Sequence, residues 1–313
     1  MKSIKVIFFG TSDRSVPILE SIKNNFDLIL CITKKDTKVG RKQVVRETQV
    51  KKWAKEESVP FLEISSLKNE DLELVSKKID ELKPDYGVVA DFGYIIPKKI
   101  IDLLKNKIIN VHFSLLPKYR GASPVQFAIL NGDKTTGVTY YILDEKMDTG
   151  DIISQIEYKI DSNITSGELY EKLFQISAEK LPNVIEKFNS GNLNVTKQDD
   201  KKVTYTFSIS HPKNTYVFKE DARIDWDLTA KKIERMVRAY NPWPIAWTTL
   251  GNLEKAKVLS ENIFLKELTN KNLKVKIFRT HLEDNKLKID ELQIEGKNKI
   301  SWDEFRNGYL KSN

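Results

Sequence analysis

The fold is decided by residues 86–113, "YGVVADFGYIIPKKIIDLLKNKIINVHF". Short apolar runs at 86–93 and 107–113 are typical of buried strands, and the segment 96–104 between them reads as a helix. A strand, a helix and a second strand in this order form a unit whose two strands run parallel. The stretch therefore predicts a parallel sheet that is covered by helices.

The same alternation extends over the first half of the chain. Further buried strands are predicted at 4–10, 27–33, 136–143 and 151–160, and helices at 15–25, 47–58, 66–83, 123–132 and 166–188. The basic and polar residues 34–47 predict a loop. Ser123, Pro124 and Gly132 stand where an N-cap, a first helical residue and a helix end are expected. The fold class is α/β: a Rossmann-like, mostly parallel sheet with helices on both faces.

The periodic pattern is lost over residues 189–220, which predicts a boundary. We expect a catalytic domain over 1–189, a linker over 190–206 and a second domain over 207–313. The last segment contains one helical pattern, 229–240, followed by short strand-like runs at 245–250, 272–278 and 286–296. Short strands after one helix predict a small β-barrel.

Net charge, cysteine content and the length of the apolar runs limit the possible partners and the cellular compartment of the protein. The chain of 313 residues carries a net charge of +8, which favours a polyanionic partner such as nucleic acid, although lysine also serves as a solvated surface residue. A single cysteine, Cys31, excludes a disulfide framework and a cysteine-based zinc site, and indicates a reducing, cytoplasmic compartment. No apolar run approaches the ~18 residues of a membrane span. We therefore expect a cytoplasmic protein without a membrane partner.

Polar side chains end one of the predicted buried strands. Asn110 and His112 lie on the same face of the strand 107–113, because side chains alternate along a strand. Asp148 follows the next strand and precedes Thr149 and Gly150, a turn that can return a carboxylate to the sheet end. Two interpretations of Asn110 and His112 are possible. They can form hydrogen bonds that only stabilise the end of the sheet, or they can be reactive groups in the crevice where α/β sheets bind ligands.

An amide, a histidine and a carboxylate form a useful set for acyl transfer. The amide N–H₂ can stabilise an oxyanion, and the histidine can donate to the same oxygen or move a proton. The carboxylate can orient the histidine and accept a proton from an attacking amine. This chemistry needs no serine or cysteine nucleophile when the acceptor is itself an amine.

Other chemistries find less support. The segment 8–14, "FFGTSDR", has one glycine where a dinucleotide fingerprint needs three, so a nicotinamide oxidoreductase is a distant alternative. No phosphate-binding loop motif is present. His211 and His281 fall in predicted loops without a second ligand at a recognisable spacing, so we predict no metal.

The motifs resemble the formyltetrahydrofolate-dependent formyltransferase family. The resemblance is carried by "NVHFSLLPKYRGASPVQ" (110–126) and "GVTYYILDEKMDTGDI" (137–152), with support from 8–22 and 88–97. Residues 223–247 and 292–309 resemble the C-terminal domain of the branch that acts on tRNA. The resemblance implies transfer of formyl from 10-formyltetrahydrofolate to the amino group of methionine on initiator methionyl-tRNA.

The resemblance also implies roles for individual residues. Asn110, His112 and Asp148 would be catalytic, and the C-terminal domain would be an OB-like barrel that holds the tRNA through its phosphates. A basic loop containing Gly40, Arg41 and Lys42 would contact the tRNA. The residues that would line the folate site follow two strand ends and are Ala90, Asp91, Phe92, Gly93, Tyr94, Ser114, Leu115, Leu116 and Pro117.

Two alternatives stay open at this stage. A formyltransferase that acts on an amino-sugar nucleotide would use the same chemistry, and the closing "LQIEGK" (292–297) together with the basic loop favours tRNA over it. A non-enzymatic RNA-binding protein would explain the charge but not Asn110, His112 and Asp148. The family resemblance implies a monomer.

Overall fold

The computed structural model describes residues 3–39, 44–256, 263–266 and 270–312. The chain forms two compact units. The first unit comprises Met1–Arg120, Thr136–Lys159 and Tyr170–Thr204, and the second comprises Gly121–Thr135, Ile160–Leu169 and Tyr205–Asn313. The functional boundaries 1–189, 190–206 and 207–313 stay a prediction.

A seven-stranded sheet forms the centre of the first unit. Its strands and those of a small hairpin are β1 Lys5–Gly10, β2 Asp27–Lys34, β3 Thr37–Val39, β4 Val44–Arg46, β5 Phe61–Ile64, β6 Tyr86–Ala90, β7 Ile108–His112, β8 Thr135–Ile142 and β9 Ile152–Lys159. The sheet order is β5-β2-β1-β6-β7-β8-β9. The first five strands in this order run parallel, and β8 runs antiparallel to β7. The mostly parallel sheet is confirmed.

The helices begin and end where the local sequence allows. They are α1 Val16–Asn25, α2 Gln49–Glu56, α3 Asn69–Leu82, α4 Lys98–Leu103, α5 Pro124–Asn131 and α6 Ser166–Asn189. The Thr48 hydroxyl caps α2 by accepting from the Lys51 amide, and Gly132 ends α5 at a φ of 71°. Against the prediction, Ser123 makes no side-chain cap for α5, because its hydroxyl donates to the Thr215 carbonyl at 3.1 Å. None of these described helices has the length and apolar character of a membrane span.

The core of the sheet comes from the apolar runs that predict its strands. Ile7, Phe9 and Ile32 are fully buried on one face, where Val75 of α3 and Ile100 of α4 cover them. Burial of this kind contributes about 25 cal/mol for each Å² of apolar surface removed from water. It fixes the positions of the strand ends, and the polar side chains that follow them are placed accordingly.

Two predictions about strands of the first unit are wrong. Residues 34–47, predicted as a loop, include the antiparallel hairpin β3–β4, in which Thr37 stands opposite Arg46. The strand β5 was not predicted, and it pairs in parallel with β2 from Cys31 to Lys34. Both errors concern strands of three or four residues, which are too short to develop a clear alternation of apolar and polar positions.

The second unit contains a four-stranded antiparallel sheet. Its elements are α7 Ala230–Ala239, β10 Ala246–Thr249, α8 Leu250–Lys255, β11 Ile263–Leu265, β12 Lys274–Glu283, β13 Lys286–Ile294, β14 Lys299–Ser301, α9 Trp302–Tyr309 and β15 Leu310–Ser312. The sheet order is β10-β12-β13-β14, and β11 pairs with β15. The predicted β-rich C-terminal region is confirmed, and its closure into a barrel stays a prediction. The expectation of a single helix is wrong, because the short helices α8 and α9 follow α7. His281, predicted in a loop, lies on β12 and contacts Asp290 at 2.8 Å.

Candidate active site

The strand β7 carries two polar side chains at the edge where the parallel strands end. Ile108 and Ile109 are fully buried and fix the strand between β6 and β8. Asn110 is half-buried and His112 is buried, and both project from the same face of the strand. A buried histidine needs partners for both ring nitrogens, so its contacts identify what it can do.

Both ring nitrogens of His112 face oxygen atoms. Nε2 lies 3.0 Å from the carbonyl oxygen of Tyr119. A carbonyl can only accept, so Nε2 carries the hydrogen of this bond. Nδ1 lies 3.8 Å from Oδ2 of Asp148, which is beyond hydrogen-bond distance but close enough for an ion pair when the ring is protonated. The predicted His112–Asp148 pair therefore exists in the structure.

Asp148 is held in a tight loop between β8 and β9. Its φ of 53° lies in the left-handed region that a residue other than glycine adopts only when its surroundings require it. Thr149 donates to the carboxylate of Asp144 at 2.8 and 2.7 Å, so Asp144 stabilises the turn. A Cβ on Gly150 would stand 1.7 Å from the Ile142 carbonyl oxygen, which makes glycine necessary there.

A tyrosine that the sequence did not single out joins the amide to the carboxylate. Tyr141 on β8 stands opposite Asn110 in the register of the sheet. Asn110 Nδ2 donates to the Tyr141 hydroxyl at 2.8 Å, and that hydroxyl donates to Oδ1 of Asp148 at 2.7 Å. Burial, with Asp148 beside it, holds the pKa of Tyr141 well above its ordinary value. The three predicted catalytic residues thus belong to one connected group.

A second unpredicted residue, Gln198, ties the two loops of the site together. Its amide N–H₂ donates to the carbonyls of Asp148 and Gly150, both at 2.8 Å. Its Oε1 accepts from the buried Arg120 guanidinium at 3.1 and 2.8 Å. Arg120 lies in the loop after β7, so Gln198 links that loop to the loop of Asp148. The sequence places Gln198 in a predicted linker, where nothing signals such a role.

The loop that follows β7 is held by a hydroxyl of its own and by a side chain of β9. Ser114 is fully buried, and its hydroxyl donates to the Lys118 carbonyl at 2.6 Å, so it serves the loop itself. Gln155 donates to the Leu116 carbonyl at 2.8 Å, and Leu116 is buried while Leu115 and Pro117 are half-buried. The predicted wall of the folate site is thus a rigid loop beside His112.

The segment after β6 reaches the same edge of the sheet, because β6 pairs in parallel with β7. The carbonyls of Ala90 and Asp91 are already used: they accept from the Ser15 hydroxyl at 3.0 Å and the Thr11 amide at 3.2 Å. Phe92 and Tyr94 contact each other edge to face, with centroids 5.6 Å apart. Lys34 lies over the Tyr94 ring at 4.7 Å, and a Cβ on Gly93 would meet its ammonium group at 2.5 Å.

Two predictions concern the binding of tRNA and of a metal ion. Gly40, Arg41 and Lys42, the predicted tRNA contacts, lie outside the described residues. Over the described ranges, no three His, Cys, Asp or Glu side chains come together as metal ligands. The described chemistry of the site is therefore that of Asn110, His112, Asp148 and Tyr141.

Comparison with known proteins agrees with the α/β fold and with a candidate site for acyl transfer. Residues 2–185 match the family model described as formyl transferase, and residues 217–310 match the model of the formyl transferase C-terminal domain. The chain belongs to the formyl transferase family. It is 35% identical over 311 residues to the methionyl-tRNA formyltransferase of Bacillus cytotoxicus, with 97% of this chain and 96% of that protein covered.

Solved structures agree in fold. A methionyl-tRNA formyltransferase from Clostridium thermocellum superposes with a TM-score of 0.55 at 18% identity, covering 93% of this chain and 98% of that chain. An N-formyltransferase from Helicobacter canadensis, solved with folinic acid and dTDP-3-aminofucose, gives a TM-score of 0.60 at 23% identity, covering 90% of this chain and 88% of that chain. At these identities the structures support the shared fold alone.

Proposed function

We propose that the protein transfers the formyl group of 10-formyltetrahydrofolate to the free amino group of methionine on initiator methionyl-tRNA, in the cytoplasm, for translation initiation. The observation that carries the proposal is the connected group Asn110, Tyr141, Asp148 and His112, whose members approach one another at 2.8, 2.7 and 3.8 Å. An amide donor, a histidine and a carboxylate at one strand edge suit acyl transfer to an amine.

The amide of Asn110 supplies the first donor to the reacting oxygen. One hydrogen of its Nδ2 is bonded to Tyr141, and the other is left for the formyl oxygen. When the amine attacks the formyl carbon, negative charge develops on that oxygen, and a donor fixed in place before the reaction stabilises it. His112 becomes the second donor if its Nε2–H passes from the Tyr119 carbonyl to the formyl oxygen.

Asp148 handles the proton that the amine must lose. As the new C–N bond forms, the attacking nitrogen becomes positively charged, and Oδ2 of Asp148 can accept its proton directly or through water. Breaking the bond between the formyl carbon and N10 of the folate then requires a proton at N10. Return of the same proton through Asp148 or His112 completes the transfer without any external acid.

The segment after β6 suits the folate ring system. The backbone of residues 90–94 would meet the pterin, and the carbonyls of Ala90 and Asp91 each already accept one hydrogen bond within the fold. The flat rings of Phe92 and Tyr94 give this segment an apolar surface beside its polar backbone. With Leu115 and Pro117 they would form the two sides of the folate site.

Exposed aromatic side chains in the second unit support an RNA partner. We call residues 205–217 the aromatic ribbon; its chain turns back on itself, with the Ser208 amide donating to the Asn214 carbonyl at 2.8 Å. Three of its four buried residues are polar, whereas several of its exposed residues are aromatic or aliphatic. The large hydrophobic side chains among the exposed residues are Tyr205, Phe207, Ile209 and Tyr216, with 40%, 46%, 75% and 58% of their surface in solvent.

The chemistry of the aromatic ribbon suits unpaired nucleotides. The rings of Tyr205 and Phe207 are stacked, with centroids 5.1 Å apart, and aromatic faces of this kind stack on bases. The aromatic ribbon includes Lys213 and no acidic side chain, which favours a phosphate backbone. The net charge of +8 acts in the same direction.

A comparison of acceptors tests the proposed function. The purified protein, supplied with 10-formyltetrahydrofolate, should formylate methionyl initiator tRNA and should leave an amino-sugar nucleotide unmodified. Formylation of the sugar together with unreacted charged tRNA would contradict the proposal. Tight tRNA binding without formyl transfer, in protein shown to bind a folate analogue, would support the non-enzymatic reading instead.

A further inference from the structure

Tyr141 lies at the centre of the candidate active site and is almost completely removed from solvent, with 1% of its surface exposed. Its hydroxyl stands between Nδ2 of Asn110 at 2.8 Å and Oδ1 of Asp148 at 2.7 Å. The cross-strand register of β7 and β8 places Tyr141 opposite Asn110. The contact is therefore fixed by the backbone pairing in addition to the side-chain hydrogen bond.

The direction of the two bonds follows from the hydrogens available. A tyrosine hydroxyl has one hydrogen, and a carboxylate oxygen accepts, so the hydroxyl donates to Asp148. With its only hydrogen used, the Tyr141 hydroxyl can only accept from Asn110. The N–H₂ group of the Asn110 amide must therefore face Tyr141. The oxygen of the Asn110 amide is therefore turned away. An amide free to rotate could instead present its oxygen to the developing oxyanion, which would repel it.

The environment of Tyr141 maintains this arrangement. Burial and the neighbouring carboxylate raise the pKa of the hydroxyl well above its ordinary value. The group consequently keeps its proton over the range in which proteins function, and its role as donor to Asp148 does not change with pH there.

We propose that Tyr141 is a positioning residue for formyl transfer: its hydroxyl orients the Asn110 amide so that an N–H faces the formyl oxygen, and it holds the Asp148 carboxylate with Oδ2 toward His112. This inference rests on the proposed function. It assigns Tyr141 no contact with the substrate, because both of its hydrogen bonds are made to catalytic side chains.

The neighbouring Tyr140 provides a matched control. It is also fully buried on β8, and its hydroxyl donates to the Ser177 carbonyl at 2.9 Å, so Tyr140→Phe removes an equally buried hydrogen bond away from the site. We expect Tyr141→Phe to lower kcat by ~10-fold to ~100-fold, as loss of a hydrogen bond to a carboxylate does, with little change in KM. Tyr140→Phe should affect thermal stability but not kcat. Equal kcat values for the two variants would overturn the proposal.

A double-mutant comparison separates positioning from a general weakening of the fold. If Tyr141 acts through Asn110, Tyr141→Phe should lower kcat by a smaller factor in an Asn110→Ala background than in the wild type. Equal factors in the two backgrounds would show independent effects and would overturn the proposal. Wild-type protein that forms no formyl product would instead contradict the proposed function, so the two failures are distinguishable.

A tyrosine analogue gives a second test that keeps the shape of the side chain. Fluorination lowers the pKa of the phenol, so a fluorinated tyrosine placed at position 141 loses its proton at lower pH. It then ceases to donate to Asp148, and kcat should fall on the alkaline side at a pH where the wild type is still active. The same analogue at position 140 should leave the profile unchanged. If the phenol at position 141 is shown by its absorbance to ionise while kcat stays unchanged, the proposal is overturned.

Discussion

At the scale of single residues, the candidate site depends on a few side chains whose partners are set by chemistry. Tyr119 offers a carbonyl, so His112 must donate from Nε2, and Asp148 stands on its other side. Tyr141 offers a single hydroxyl hydrogen, so the Asn110 amide has one orientation. Each of these constraints follows from an inventory of donors and acceptors.

Replacement of the histidine tests its assigned role. His112→Ala should lower kcat by ~10²-fold or more, because it removes a proton-handling group and a donor to the oxyanion. His281→Ala is a matched control, since His281 also contacts an aspartate, Asp290, but lies on β12 in the second unit. The measurement is kcat for formylation in both variants, with folded stability checked by thermal melting. A His112→Ala enzyme with nearly normal turnover would show that the role is wrongly assigned.

The sequence predicts the site residues that follow strand ends, but not those whose contacts depend on strand register or on an irregular segment. Asn110, His112 and Asp148 follow predicted strands, and strand ends of an α/β sheet converge on one edge, so their proximity could be inferred. Tyr141 and Tyr140 are neighbouring tyrosines that are equally buried. Only the cross-strand register shows that Tyr141, and not Tyr140, stands opposite Asn110. Gln198 comes from a segment without periodicity, where a contact with Asp148 has no local signal.

At the scale of elements, loops are held by side chains from outside them. Gln198 joins the loop after β7 to the loop before β9 through Arg120 and the backbone of Asp148. Gln155 of β9 likewise supports the loop that contains Leu116. These bonds keep the loop of Asp148, a candidate catalytic residue, in place although this loop lacks regular structure.

The aromatic ribbon permits a prediction about tRNA binding. Replacing Tyr205 and Phe207 together by serine should raise KM for methionyl-tRNA by ~10-fold or more, because base stacking on an aromatic side chain contributes ~1–3 kcal/mol per base. Both residues are exposed, so folded stability should be nearly unchanged. The KM for the folate should not change.

A matched control is available on another exposed apolar position of the second unit. Leu282 lies on β12 with 38% of its surface exposed, and Leu282→Ser should leave KM for tRNA as in the wild type. An unchanged KM for tRNA in the Tyr205 and Phe207 double variant would show that the aromatic ribbon has another role. An equal increase in both variants would indicate a general effect of exposed serine substitutions.

The secondary structure could be predicted where elements are long and strongly periodic. Continuous apolar runs predict the strands β1, β2, β6 and β7, because both faces of these strands are covered. The short strands β3, β4 and β5 could not be found in this way. Their formation depends on pairing with a partner strand and not on a pattern of their own.

At the scale of the whole molecule, fold, site and charge favour the same activity. The mostly parallel sheet brings Asn110 and His112 to the edge where ligands bind, and the loop after β8 brings Asp148 to them. The net charge of +8 and the exposed aromatic ribbon suit a polyanionic acceptor. The family relationship covers both units of the chain.

The most direct test of the account follows both products of one reaction. With 10-formyltetrahydrofolate and methionyl initiator tRNA, the wild-type protein should release tetrahydrofolate and formylmethionyl-tRNA in equal amounts, because the amine is the only acceptor in the proposed mechanism. Release of tetrahydrofolate without formylmethionyl-tRNA would mean that water takes the formyl group. That result, or the absence of both products from folded protein that binds a folate analogue, would contradict the account.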